Sequence, residues 1–61
     1  MYKVLINWKG EIHNLYTNSP NSNKALHNCI NQLANILNIS VSSVRNYVTD
    51  KDKYTIYKLK K

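Results

Sequence analysis

Apolar and polar residues alternate at the start of the chain, then recur with helical spacing, then alternate again. Tyr2, Val4 and Ile6 share one side of an extended segment, while Lys3 and Leu5 point the other way. This predicts a strand over Tyr2–Ile6. Asn7-Trp8-Lys9-Gly10 then predicts a type I turn, with Asn7 opening it and Gly10 closing it in the left-handed region. Glu11–Thr17 returns as a second strand, with Ile12 and Tyr16 on one face and His13 and Leu15 on the other. Asn18–Asn23 (NSPNSN) is built of turn and cap formers, and Ser22 or Asn23 is the candidate cap for the next helix. From Lys24 to Leu37, the residues Leu26, Ile30, Leu33 and Leu37 recur at intervals of four, three and four. Ala25, Cys29 and Ala34 widen that stripe, and Asn28, Asn31 and Asn35 occupy the opposite, solvent face.

Asn38 falls where the chain must reverse, and asparagine tolerates the left-handed conformation that ends helices. Ile39 is expected as a buried plug. Ser40 is expected to cap a second helix by accepting from the backbone of Ser42 or Ser43. Val41, Val44 and Val48 give that helix an apolar face, which Tyr47 extends. Thr49–Lys53 is a polar turn, and Tyr54–Leu59 alternates again with β-favouring residues. An isolated hairpin is marginal in water, so this last segment is placed in the sheet beside it, within its own chain or against a second copy. A frayed tail ending in Lys58, Lys60 and Lys61 is the alternative.

The pattern of Gln32–Val48 resembles the helix-turn-helix of DNA-binding proteins, whose second helix enters the major groove. The fold class expected is therefore α+β. An N-terminal β-hairpin and a two-helix helix-turn-helix precede a C-terminal strand that completes a small antiparallel sheet, all in one domain spanning residues 1–61. The polar side of the second helix carries Ser42, Ser43, Arg45, Asn46 and Thr49, short or planar groups of the kind that reach bases and phosphates. Arg45 is suited to guanine and Asn46 to adenine, each through two hydrogen bonds. Lys24, Lys51 and Lys53 are candidate phosphate contacts. The bland alternative is an ordinary helical corner with a solvated polar face.

Charge sharpens this picture. The formal net charge is +6, from nine Lys and Arg against Glu11, Asp50 and Asp52. Such an excess in a small domain is the electrostatic footprint of a nucleic-acid binder, or merely a solubility surface. With 61 residues the core is thin, so a homodimer is expected on grounds of stability as well as affinity. Cys29 is the only cysteine, so no disulfide forms within the chain and a reducing cytoplasm is expected. Met1–Ile6 is too short for a secretory leader, and no run approaches the roughly 20 apolar residues that cross a bilayer, so no membrane role is expected. The abundance of Asn, Lys and Ile matches an AT-rich genome such as that of a phage or plasmid, in a bacterial or phage-infected cell.

Enzymatic chemistry finds little footing. Gly10 is the only glycine, so no phosphate-cradling loop is present. His13, His27 and Cys29 lack zinc spacing, and Cys29 lies on the apolar stripe. No cofactor, metal or catalytic residue is expected. The aromatics Tyr2, Trp8, Tyr16, Tyr47, Tyr54 and Tyr57 fall largely on strands, where they either build core or stack single-stranded bases. Trp8, placed at a turn tip, is the candidate anchor for a protein partner.

The segments YKVLINWKGEIHNLY, QLANILNISVSSVRNYV and YTIYKL together resemble the small DNA-binding modules of the intron-encoded nuclease repeat type that are appended to homing endonucleases. In that family the module holds DNA and a separate domain cuts it. The resemblance implies Ser42, Ser43, Arg45 and Asn46 as the DNA-facing set. A free-standing copy of such a module departs from the family, and a small regulator is the simplest role expected for it. Two functions from different classes are thus expected. One is sequence-specific binding of double-stranded DNA by a phage or plasmid transcriptional regulator. The other is a small mobile-element inhibitor, anti-CRISPR-like or for host takeover, that binds a host protein through Trp8 or the Tyr54–Leu59 edge.

Overall fold

The computed structural model of the chain describes residues 1–59. The side chain of Lys51, and Lys60 and Lys61, lie outside the described part. Strand β1 (Tyr2–Trp8) and strand β2 (Glu11–Thr17) form a hairpin. Helices α1 (Ser22–Leu37) and α2 (Val41–Tyr47) come next, then a 3-10 turn at Lys51–Lys53 and strand β3 (Tyr54–Lys58). The three strands form one antiparallel sheet in the order β2-β1-β3. The fold is the α+β arrangement that the patterning predicts. β3 pairs with its own chain, with Tyr2 opposite Lys58 and Ile6 opposite Tyr54.

The alternation in β1 explains why it is central. Tyr2, Val4 and Ile6 are buried on one face. Leu15 joins them from β2, directly opposite Val4. Both helices lie on this face, and Ala25, Cys29, Ile30, Leu33, Ala34, Val44 and Val48 complete a single core. Complete burial of a side chain such as Ile6 or Leu33 is worth about 1.5–3 kcal/mol.

The hairpin turn differs from the one expected. β1 runs on to Trp8, which pairs with Glu11, so only Lys9 and Gly10 connect the strands. Both have positive φ, 51° and 92°. Two positive values in a two-residue connection match the right-handed twist of the strands, whereas a type I turn splays them. Asn7 still serves the turn, since its Oδ1 accepts from the Gly10 backbone at 3.0 Å.

Helix α1 starts earlier than the apolar spacing indicates. Its cap is Asn21 rather than Ser22 or Asn23, and the Asn21 side chain accepts from the Lys24 backbone at 2.9 Å. The stripe is also rotated. Ala25, Cys29 and Leu33 are fully buried at its centre, while Leu26 and Leu37 are half-buried at its margin. Small side chains at two of the three central positions let the helix come close to the sheet, which large ones would hold off.

Candidate nucleic-acid interface

Helix α2 is fixed at both ends and on two sides. The joint with α1 is Asn38–Ser40. Asn38 adopts the left-handed conformation at φ 58°, ψ 45°, and its backbone N–H returns to the carbonyls of Ala34 and Asn35. Ile39 N–H bonds to Ala34 O at 3.0 Å. Ser40 caps α2, accepting from the Ser43 backbone. On the inner side Val44 and Val48 enter the core. On a second side Tyr47 stacks edge-on against Trp8, with ring centroids 4.8 Å apart. The Tyr47 hydroxyl accepts from the Lys9 backbone at 3.1 Å, so the hairpin turn is tied to the helix. The Lys53 ammonium sits over the Tyr47 ring, 4.3 Å from the centroid.

This anchoring decides which polar residues point outward. Ser42, Arg45 and Asn46 lie three and four residues apart on one exposed stripe, and Thr49 is exposed just beyond the helix. Ser43 is separated from that set. It is exposed but turned toward the hairpin, where its hydroxyl contacts Ser40 Oγ at 2.8 Å and it lines a groove with Trp8, Lys9, Leu37, Ile39 and Tyr47. Ser43 is therefore engaged in capping before any ligand arrives.

The basic residues separate in the same way. Lys53 is held beside α2. Lys24 is exposed in the first turn of α1, with roughly 20 Å of helix between it and the joint at Asn38, so it does not share the surface of the stripe. Lys51 lies in the 3-10 turn that precedes β3. Lys9 carries no mark of a site in the sequence pattern, yet the hairpin brings it to the edge of α2. Its ammonium stands 5.3 Å from the Trp8 ring centroid. The only signal for it in the sequence is its place before Gly10 in a turn, which says nothing about what the turn touches. Among the described residues the one contact between a basic and an acidic side chain is His13 Nε2 with Glu11 Oε1 at 3.4 Å, an ion pair only where the imidazole is protonated. Its geometry makes no hydrogen bond, so the buried His13 Nε2 lacks a hydrogen-bonding partner. Arg45, Lys9 and Lys53 thus form no ion pair with an acidic residue among those described.

Two expectations need correction. Ile39 does not plug the interior. It is 40% exposed and forms the wall of the groove beside Tyr47. The reason is the short joint, which spends Ile39 on a backbone bond to Ala34 and turns its side chain outward. Trp8 is not at a free turn tip. It is the last residue of β1, on the core-facing side of the sheet, half-buried against Tyr47. The groove between hairpin turn and α2 has a volume of about 550 Å³.

Cys29 is fully buried on α1, and burial pushes its thiol up to about 11. Among the described residues no three His, Cys, Asp or Glu side chains gather into a group that would hold a metal ion. No helix among them is long and apolar enough to cross a membrane.

No protein-family model matches the chain, and neither the curated proteins nor the solved structures contain a match to it.

Proposed function

We propose that this protein binds double-stranded DNA in a sequence-specific manner by laying α2 in the major groove. The observation that carries the reading is the outward stripe Ser42, Arg45 and Asn46 on a helix held on two sides by core and by Tyr47. A seven-residue helix is about 10 Å long, which suits a groove about 12 Å wide. Arg45 reads guanine, Asn46 reads adenine, and Ser42 and Thr49 meet bases or phosphates at the margins. Lys9 and Lys53, both tied to Tyr47, contact the flanking phosphates. One such helix offers few base contacts, so two copies bind two half-sites. A transcriptional regulator of a phage or plasmid is the role that fits. The resemblance to intron-encoded nuclease repeat modules, which hold DNA, supports the DNA-binding part of this reading.

The test is selection of bound sequences from a random duplex library at two salt concentrations. An enriched motif that persists at the higher salt supports direct base reading. Weak binding that vanishes with salt and enriches nothing is phosphate attraction alone and rejects the proposal. Arg45→Ala is expected to cost about 1–3 kcal/mol on the selected site while leaving folding intact.

The groove lined by Trp8, Ile39 and Tyr47 favours a second reading, an inhibitor that captures a protein partner. Ile39, 40% exposed, is its natural anchor. Ile39→Ser abolishing partner capture, with duplex binding untouched, would select this reading over the first.

A further inference from the structure

Among the described residues, no helix covers the face of the sheet turned away from the core. It carries Lys3, Leu5 and Asn7 from β1, Ile12, Asn14 and Tyr16 from β2, and Thr55 and Tyr57 from β3. The register sets these in rows. Lys3 lies directly opposite Tyr16 on one side and Tyr57 on the other, so one row reads Tyr16–Lys3–Tyr57 across all three strands. Leu5 lies opposite Asn14 and Thr55, so the next row reads Asn14–Leu5–Thr55. Tyr16 and Tyr57 are 53% and 47% exposed, unlike Tyr2, Tyr47 and Tyr54, which pack on or against the core. The Lys3 ammonium stands 6.0 Å from the Tyr57 ring centroid.

We propose that this outer face binds single-stranded RNA, with bases stacked on Tyr16 and Tyr57 and a phosphate paired to Lys3. Two strand spacings put the two tyrosines about 10 Å apart, room for an unstacked strand to cross the sheet with Lys3 between successive bases. Exposed rings stack on any base, and this sequence-tolerant contact is the main attraction in single-strand binding. The face carries a lysine and no acidic residue, and the chain as a whole is +6, so the surface complements an anion. A second copy of the chain complements it poorly, because a two-fold pairing of this face brings Lys3 toward Lys3. The choice of RNA rests on the second row. Asn14 and Thr55 are neutral groups that hydrogen-bond a ribose 2′-hydroxyl, and unpaired bases are the normal target in RNA. The inference is independent of the duplex reading, since α2 lies on the other side of the sheet.

The experiment is fluorescence anisotropy of a labelled uridine 12-mer with the full chain, which avoids base pairing in the probe. The double variant Tyr16→Thr, Tyr57→Thr keeps β-favouring residues and should weaken binding by roughly 10-fold per ring or more. Tyr16→Phe with Tyr57→Phe keeps the rings and should bind within about twofold of the parent. Lys3→Gln should weaken binding and flatten its salt dependence by about one phosphate contact. Arg45→Ala should leave the 12-mer unaffected. The proposal is overturned if the folded threonine variant binds as the parent does, or if the parent fails to bind at low salt. Equal affinity for the deoxyuridine 12-mer overturns the assignment to RNA. A dimer in sedimentation that the threonine variant dissociates gives the face to a second copy instead, and also overturns it.

Discussion

At the scale of single residues, two left-handed positions that are not glycine hold the chain in shape. Asn38, at φ 58°, ends α1 and aims α2. A non-glycine residue there costs about 1–2 kcal/mol of backbone strain, which asparagine partly relieves. Asn38→Ala is therefore expected to lower stability by about 1 kcal/mol and Asn38→Gly to raise it slightly, as read by urea melts. Lys9 is the less favourable case, with φ 51° on a long side chain. Lys9→Asn creates the Asn-Gly pair preferred for this hairpin turn and should stabilise the protein by roughly 1 kcal/mol. Under the duplex reading the same change weakens DNA binding by one phosphate contact, so stability and affinity should move in opposite directions. Cys29 adds a pH dependence. Its folded-state thiol titrates near 11, above its ordinary value of 9.0, because burial disfavours the thiolate. The stability from that buried thiol is full below pH 9 and is lost as pH rises through about 11, since the unfolded chain gives up the proton first. Labelling by a thiol reagent at pH 8 should be slow and should become rapid in urea.

At the scale of elements, α2 shows how a short helix becomes a fixed platform. Seven residues are too few to be helical alone in water. The helix exists because Ser40 caps it and Val44 and Val48 anchor it. Ser40→Ala is expected to cost about 1 kcal/mol. Val44→Ala removes two buried methyl groups and leaves a cavity, so a loss of about 2–3 kcal/mol is expected. Both losses are measurable as shifts in the midpoint of denaturation at unchanged slope. Much of this element was legible in the sequence. The Asn38 reversal, the Ser40 cap and the buried valines all arise from side-chain chemistry within a few residues. Ser43 did not separate from Ser42 and Arg45 on spacing alone, because which edge of the helix meets the hairpin is not a local property. Lys9 and Tyr47 come together across 38 residues for the same reason. The rotation of the α1 stripe is likewise non-local. It is set by the sheet beneath, which admits Ala25 and Cys29 and leaves Leu26 at the edge.

At the scale of the molecule, the sheet separates two surfaces. One side is covered by the helices and carries the core, and α2 rises from that side with its outward stripe. The other side is covered by none of the described elements and carries Tyr16, Lys3 and Tyr57 in one row. If α2 binds duplex DNA, affinity should fall steeply with salt in proportion to the phosphates met by lysine and arginine. Removing the charge of Lys9 and Lys53 together should reduce the slope of log affinity against log salt by about two, measured on the selected site.

The sequence by itself determined the elements and their faces, because alternation, helical spacing and capping act through neighbours in the chain. It determined that Tyr2, Val4 and Ile6 share one face of β1, that Asn38 reverses the chain, and that Ser40 caps the second helix. That this face is the buried one, and that β3 pairs within its own chain, came from the tertiary structure. Only the tertiary structure decided that β1 lies at the centre of the sheet, that Trp8 packs on Tyr47, and that Ile39 faces solvent. The tertiary structure alone set Tyr16 and Tyr57 on either side of Lys3. Those facts depend on register and on the approach of segments distant in the chain, where the same alternation is compatible with more than one pairing.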